Sequence, residues 1–177
     1  MPVEVLSLRD LGIEIDVAEE GQTPEENAHI KAETYWTASS LPTLAVDGGL
    51  YIARFPPEKQ PGVYVRRIHG ADQEVADREI LAHYARELDR VGGQSTATWQ
   101  IALVLMASAD RVFARTFALE VLLATQNQGP LRPGEPLTSL MVDPATGKHY
   151  AEMTYGERPD SAQVADFVRG CLDKIPV

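Results

Sequence analysis

Two apolar-rich runs, Ala97–Ala107 and Val112–Thr125, flank the short turn Ser108-Ala109-Asp110, and no other feature constrains the fold of this chain as tightly. Two such runs separated by a turn read as a long antiparallel hairpin, and the remaining elements must be arranged around it. Val3-Glu4-Val5-Leu6 and Ile13-Glu14-Ile15-Asp16-Val17 alternate apolar with polar, the two-residue period of half-buried strands. Leu41 to Val46 reads as a buried strand broken by Asp47-Gly48-Gly49, and Val63 to Ile68 as a short strand after a Pro/Gly-rich loop. A further turn with Pro144 and Gly147 lies between Leu140-Met141-Val142 and Lys148-His149-Tyr150.

Three helices complete the pattern. Thr23-Pro24-Glu25-Glu26 is a strong helix start: Thr23 can cap, Pro24 suits the first helical position, and Glu26 can reach back to the cap backbone. Ala28, Ala32, Tyr35 and Trp36 then form an apolar stripe that ends near Ser39-Ser40. A second helix starts at Asp72 with Val75, Ile80, Tyr84, Leu88 and Val91 inward, and a third at Asp160 with Val164, Phe167, Val168, Cys171 and Leu172 inward. Strands alternate with helices early and pair as hairpins late, which predicts a mixed α/β domain.

With 177 residues and 44% hydrophobic side chains, the chain suits one globular domain spanning 1–177. Its 26 acidic and 16 basic residues give a net charge of −10, against a sequence-independent grip on duplex nucleic acid or an anionic membrane. Small anionic ligands stay possible, because a few basic groups or a divalent cation reverse the local field. A lone Cys171, no basic-then-apolar start, and no apolar run near the ~20 residues of a membrane span predict a soluble cytoplasmic protein.

Acidic side chains gather where chemistry is plausible. Glu19, Glu20, Glu25 and Glu26 crowd the start of the first helix, and Asp47 ends a strand at a glycine turn. Carboxylates converging over one edge of a sheet can hold Mg²⁺ together with substrate phosphates, and Lys31 could reach the same edge to neutralise a phosphate. The plainer reading makes Glu26 a helix cap, Glu19 and Glu20 solvated, and Asp47 the start of a turn. His29, His69, His83 and His149 show no metal-ligand spacing, and no nucleophile elbow, Walker or Rossmann fingerprint is present. Arg66-Arg67 could bind phosphate or divide into one exposed and one paired arginine, and Trp36 and Trp99 read as core.

The segment from Glu19 to Ala32 resembles the E-x-G-x-T-x-x-E-N-A-x-x-K-A signature of the inosine triphosphate pyrophosphatases, which cleave non-standard purine nucleoside triphosphates to monophosphate and pyrophosphate. Leu41 to Leu50 is similar to their L-P-x-L-A-D-D-S-G-L strand and turn. Pro61 to Arg67 is similar to P-G-x-Y-S-A-R, and Lys148 to Met153 to K-T-F-A-E-M, in the family's order. The resemblance implies an α/β fold with an elongated mixed β-sheet flanked by helices, two lobes with a nucleotide cleft, and usually a homodimer. It implies Mg²⁺ as cofactor and a purine nucleoside triphosphate or related nucleotide as ligand. Glu19 and Asp47 take the place of the metal-binding and catalytic carboxylates, Lys31 and Arg67 of the phosphate-binding cations, and Glu26 of a cap or outer support.

The departures from the family pattern bear on function. The T-G-N-x-x-K phosphate loop is not found in residues 1–177, where Val3 to Leu11 resembles the family's second segment; either the unit is missing or the gene start lies upstream. The first carboxylate of the D-D pair is Val46. The G-F-G-Y-D-P stretch falls at Gly134 to Ser139, with Thr138 in place of its aspartate, and the purine-reading S-H-R falls near Ala162-Gln163-Val164. Two functions are therefore expected. One is an Mg²⁺-dependent nucleoside-triphosphate pyrophosphohydrolase with altered or relaxed base specificity. The alternative is a catalytically weak or inactive nucleotide-sensing or scaffold subunit, completed by a second copy or a partner protein.

Overall fold

The computed structural model describes residues 4–70, 75–126 and 128–175. The hairpin is its centre: β2 (Gln94–Ser108) and β3 (Arg111–Ala124) pair antiparallel from Gln94↔Ala124 to Ser108↔Arg111. The one irregularity, between Met106 and Ser108, sits beside the turn, where an extra residue bends the ribbon. β1 (Thr43–Ile52) pairs antiparallel along the other side of β2, and the short β4 (Met141–Val142) extends β3, giving the order β1-β2-β3-β4. Every pairing among the described residues is antiparallel.

Helices cover both faces of this sheet. Ala102, Val104 and Met106 of β2 point to α1 (Pro24–Ser39), where they pack with Ala45, Ala28, Ala32 and Trp36. Leu103 and Leu105 point the other way, against Phe167 and Cys171 of α3 (Ser161–Leu172). On that same second face α2 (Asp77–Arg90) brings Ile80, Tyr84 and Leu88 onto Leu50, Ile52, Ala97, Leu119, Val121 and Leu123. A strand covered on both faces needs apolar residues at every position, which is why Ile101 to Ala107 runs unbroken instead of alternating.

α1 forms as its first residues dictate. Thr23 Oγ1 accepts from the Glu26 backbone N–H, and the Glu26 carboxylate accepts from the Thr23 and Gln22 N–H groups, closing a capping box. The helix ends at Ser40, which takes the left-handed conformation (φ 57°) and donates its N–H to Trp36 O. Its buried contact with the sheet is made of alanines, so the helix lies close to β1 and β2.

Several expected strands are absent. Residues 4–6 and 13–17 form no strand among the described residues; Val5 is 88% exposed, and the intervening chain turns on hydrogen bonds from Leu11, Gly12 and Ile13. Val3 itself lies outside the described residues. The period-two pattern there meets no sheet edge, so nothing converts it into pairing. Val63 to Ile68 is a chain of turns closed by Tyr64 N–H to Pro61 O and Arg67 N–H to Tyr64 O, with only Val65 buried deeply. The expected start of the second helix, Asp72, is outside the described residues, and the helix is described from Asp77.

β1 departs in the opposite sense. It does not break at Asp47-Gly48-Gly49 but continues to Ile52, and it is an edge strand, with Val46 47% exposed. The glycines answer to close approach: a Cβ on Gly48 would lie 3.3 Å from the Trp99 ring, and one on Gly49 3.1 Å from Pro24 Cγ. On its outer side β1 meets Gly62, through reciprocal bonds with Leu50, and the Gln60 amide, which bonds the N–H and C=O of Ile52. By the antiparallel alternation the N–H and C=O groups of Leu44, Val46 and Gly48 face the same open side.

Candidate active site

The cleft lies on the α2/α3 face of the sheet and runs to the β1 edge, with a volume of about 540 Å³, within the range of small-molecule sites. Its floor is Trp99, Ile101 and Leu119. Val65, Ile80 and Leu137 form one wall, while Glu19, Lys31, Asp47 and Gly48 stand at the β1 edge. Gly48 leaves the gap through which the edge residues and the floor share one space.

At that edge Lys31 Nζ lies 2.6 Å from Asp47 Oδ1 and 2.8 Å from Glu19 Oε1. Each partner comes from a different element, and the alanine packing of α1 on β1 sets the spacing. Glu19 is held through its own loop. Gly21 donates its N–H to the buried Asn27 Oδ1 at 2.8 Å, and a Cβ on Gly21 would lie only 2.5 Å from that oxygen. Asn27 thus ties the loop to the first turn of α1.

The electrostatics follow from burial. The Asp47 side chain is 9% exposed, and desolvation pushes its carboxyl pKa up, only partly opposed by the Lys31 ammonium. Burial also works against the Lys31 charge, but hydrogen bonds to Asp47 and Glu19 outweigh it and hold its pKa above the ordinary value. Asp47 Oδ2 is buried and makes no hydrogen bond of ordinary geometry, the Asn27 side chain acting on the carboxylate as a further, weaker stabiliser. Two carboxylates, one with an unspent oxygen, fit a hard divalent cation that fills its remaining positions with water and substrate phosphate. Among the described residues no group of three or more His, Cys, Asp or Glu is placed to hold a metal alone, so the ligand would have to complete the set.

The other expected residues fall as follows. Arg67 lines the cleft, its guanidinium 5.8 Å from the centre of the Tyr64 ring. Arg66 bonds Asp77 at 2.9 Å, clasping the start of α2. Glu26 does not line the cleft; it is the helix cap described above. Thr138 is buried in the cleft wall with its hydroxyl donated to Glu135 O. Val46 is not among the cleft-lining residues and lies exposed on the β1 edge. Trp99 packs against the core and also floors the cleft, so it is more than a core residue.

Residues with no signal in the sequence form the wall nearest α3. Arg158 holds Glu135 with two bonds of 2.9 and 2.6 Å, which pull the Glu135 carboxyl below its ordinary range, and its guanidinium stacks 4.5 Å over Tyr155. Tyr150, 2% exposed, and Asp160 line the cleft beside it.

A sheet covered by helices on both faces, with an acid–lysine cluster at one edge of a cleft and arginines along it, defines an α/β protein with a charged cleft. The Ham1 family model matches residues 1–159, and the chain belongs to this family. A dITP/XTP pyrophosphatase from Symbiobacterium thermophilum is 30% identical over 164 residues, covering 91% of this chain and 78% of that protein. One from a Thermoanaerobacter species is 41% identical over 76 residues, but the match spans only 43% of this chain and 37% of the relative. A HAM1 protein from Coxiella burnetii superposes with a TM-score of 0.71 at 24% identity, covering 91% of this chain and 82% of that one, a likeness of fold.

Proposed function

We propose that the chain is an Mg²⁺-dependent nucleoside-triphosphate pyrophosphohydrolase that releases monophosphate and pyrophosphate, with base preference altered from its relatives. The observation that carries this reading is Lys31 bridging Glu19 and Asp47 at the mouth of the cleft, with one buried Asp47 oxygen left over. An ammonium has three donors; two are committed to the carboxylates, which leaves one for a phosphate oxygen. Arg67 supplies a second cation along the same cleft.

Glu19 and Asp47 would hold Mg²⁺. When bound, the ion would neutralise phosphate charge and favour water as a nucleophile. Asp47 would accept the proton of an attacking water, with Lys31 keeping its carboxylate oriented. Lys31 would fix the triphosphate at the β1 edge, Glu19 acting on it only through the ion, and the apolar floor of Trp99, Ile101 and Leu119 suits a flat base.

The same reading takes residues 1–177 as one cytoplasmic domain acting as a homodimer or with a partner chain. The outward-facing backbone of β1 and the exposed Leu44 and Val46 support an assembly at that edge. No helix among the described residues is long and apolar enough to cross a membrane.

Pyrophosphate release from a panel of NTPs and dNTPs with Mg²⁺ tests the activity against an Asp47→Ala control. Release that depends on Asp47 is expected. Binding without release would instead favour the nucleotide-sensing alternative, and light scattering reads the assembly.

A further inference from the structure

Three polar atoms near the α3 end of the cleft have no partner: Tyr150 Oη, Arg158 Nε and Asp160 Oδ1. All three residues line the cleft. Leaving buried polar groups unsatisfied is costly, so a cluster of them beside a cavity calls for a ligand. Tyr150 is almost wholly buried, and the Arg158 side chain is 9% exposed. Asp160 is close enough to raise the pKa of both Tyr150 and Arg158, although burial dominates for Tyr150 and the Glu135 bonds for Arg158.

A separate observation concerns the position of Asp160. It is the N-cap residue of α3, where an aspartate normally accepts from the first helical N–H groups, yet its side chain makes no capping bond. The carboxylate is therefore not spent on the helix. Arg158 is held by its two bonds to Glu135, and its buried Nε–H is left unspent.

We propose that Asp160, with Arg158 and Tyr150, selects a 2-amino-6-oxopurine, the guanine type of base, in the nucleotide cleft. This inference rests on the nucleotide reading above. A carboxylate only accepts, and it has two oxygens; guanine offers it two adjacent donors, N1–H and the 2-amino group. Arg158 Nε–H then meets the 6-oxo group, and Tyr150 Oη can serve either role. Hypoxanthine lacks the 2-amino donor. Xanthine sets a 2-oxo group against the carboxylate. Adenine lacks the N1 proton. The preference should therefore run guanine, hypoxanthine, then xanthine and adenine.

The test is calorimetric titration of the intact chain, with Mg²⁺, using α,β-methylene analogues of GTP, ITP, XTP and ATP, beside pyrophosphate release from the parent nucleotides. The GTP analogue is expected to bind about tenfold or more tighter than the ITP analogue. Asp160→Asn replaces one acceptor by an NH₂ donor, so it should weaken the GTP analogue roughly 10- to 100-fold and strengthen the XTP analogue. Equal wild-type affinity for the GTP and ITP analogues overturns the proposal even if pyrophosphate is released, in which case the hydrolase reading stands. A guanine preference lost in Asp160→Asn, without release, upholds the proposal and removes the hydrolase reading. Failure of every analogue to bind overturns both. If Asp160→Asn does not fold by circular dichroism, the wild-type ratio decides alone.

Discussion

At the scale of single residues, the site depends on one lysine that bridges two carboxylates. Glu19, Asp47 and Lys31 together carry one net negative charge, and the burial of Asp47 makes its pairing with Lys31 structural as well as functional. Lys31→Met should reduce pyrophosphate release by about 10²-fold or more, the scale of a lost electrostatic contact in a buried site. It should also cost about 1–3 kcal/mol in stability, because Asp47 is left buried without its partner. The sign with pH is fixed by the raised Asp47 pKa. A carboxyl whose folded pKa exceeds its unfolded value holds its proton better when folded, so stability is greatest below the unfolded value and falls as pH rises through the folded one. Removing Lys31 raises that pKa further. Urea unfolding should therefore show a small deficit for Lys31→Met near pH 4 and a larger one at pH 7.5; an equal deficit at both would show that Asp47 is not the cause.

Elements place these residues, and here the chain was unevenly readable. The capping box of α1, the long hairpin and the inward face of α3 follow from local chemistry, and the structure contains each of them. What failed was whatever depended on a distant partner. The alternation at 13–17 is a strand pattern without a sheet edge, and Gly48-Gly49 looks like a turn until Trp99 and Pro24 are brought against it. Likewise, Glu19, Lys31 and Asp47 could be named together from a familiar signature, whereas Tyr150, Arg158 and Asp160 share no spacing that marks them, because two short 3₁₀ turns and the start of α3 assemble them. The alanine face of α1 is a further case of distance set by packing. Ala28→Leu should overfill it, cost about 1–3 kcal/mol, and lengthen the Lys31–Asp47 contact by lifting the helix; the check is a fall in both urea midpoint and Mg²⁺-dependent nucleotide binding. The turn before Arg158 offers a pH-dependent case. Glu157 closes a capping box with Thr154, whose backbone N–H chiefly holds the carboxyl at about 2, against an ordinary 4.5. A lowered folded pKa gives stability that is present above 4.5 and lost as pH falls through 2. Glu157→Gln should melt lower than the parent at pH 7, and the gap should close on acidification through that window; a gap constant with pH would assign the effect to packing.

For the whole molecule, the acidic excess and the cleft are two sides of one electrostatic problem. A chain of net charge −10 repels a triphosphate at long range, so recognition must come from local cations and from a metal drawn in by the same acidity. On the proposed reading nucleotide and divalent-ion binding reinforce each other: each supplies charge that the other lacks, and linkage requires the coupling to be reciprocal. A ligand that binds only the folded chain at a hundred times its dissociation constant adds about 2.7 kcal/mol. For a domain of this size that corresponds to a rise in Tm of roughly 5–10 °C. Thermal unfolding with a non-hydrolysable GTP analogue should show this rise only when Mg²⁺ is present, with either component alone giving a small fraction of it. EDTA should return the midpoint to that of the free chain. The Asp47→Ala protein should lose the Mg²⁺-dependent part while keeping whatever Arg67 and the base-facing wall contribute. A nucleotide-induced rise of the same size with and without Mg²⁺ would instead mean that Lys31 and Arg67 bind the phosphates unaided, and that Glu19 and Asp47 serve to position the lysine rather than to hold an ion.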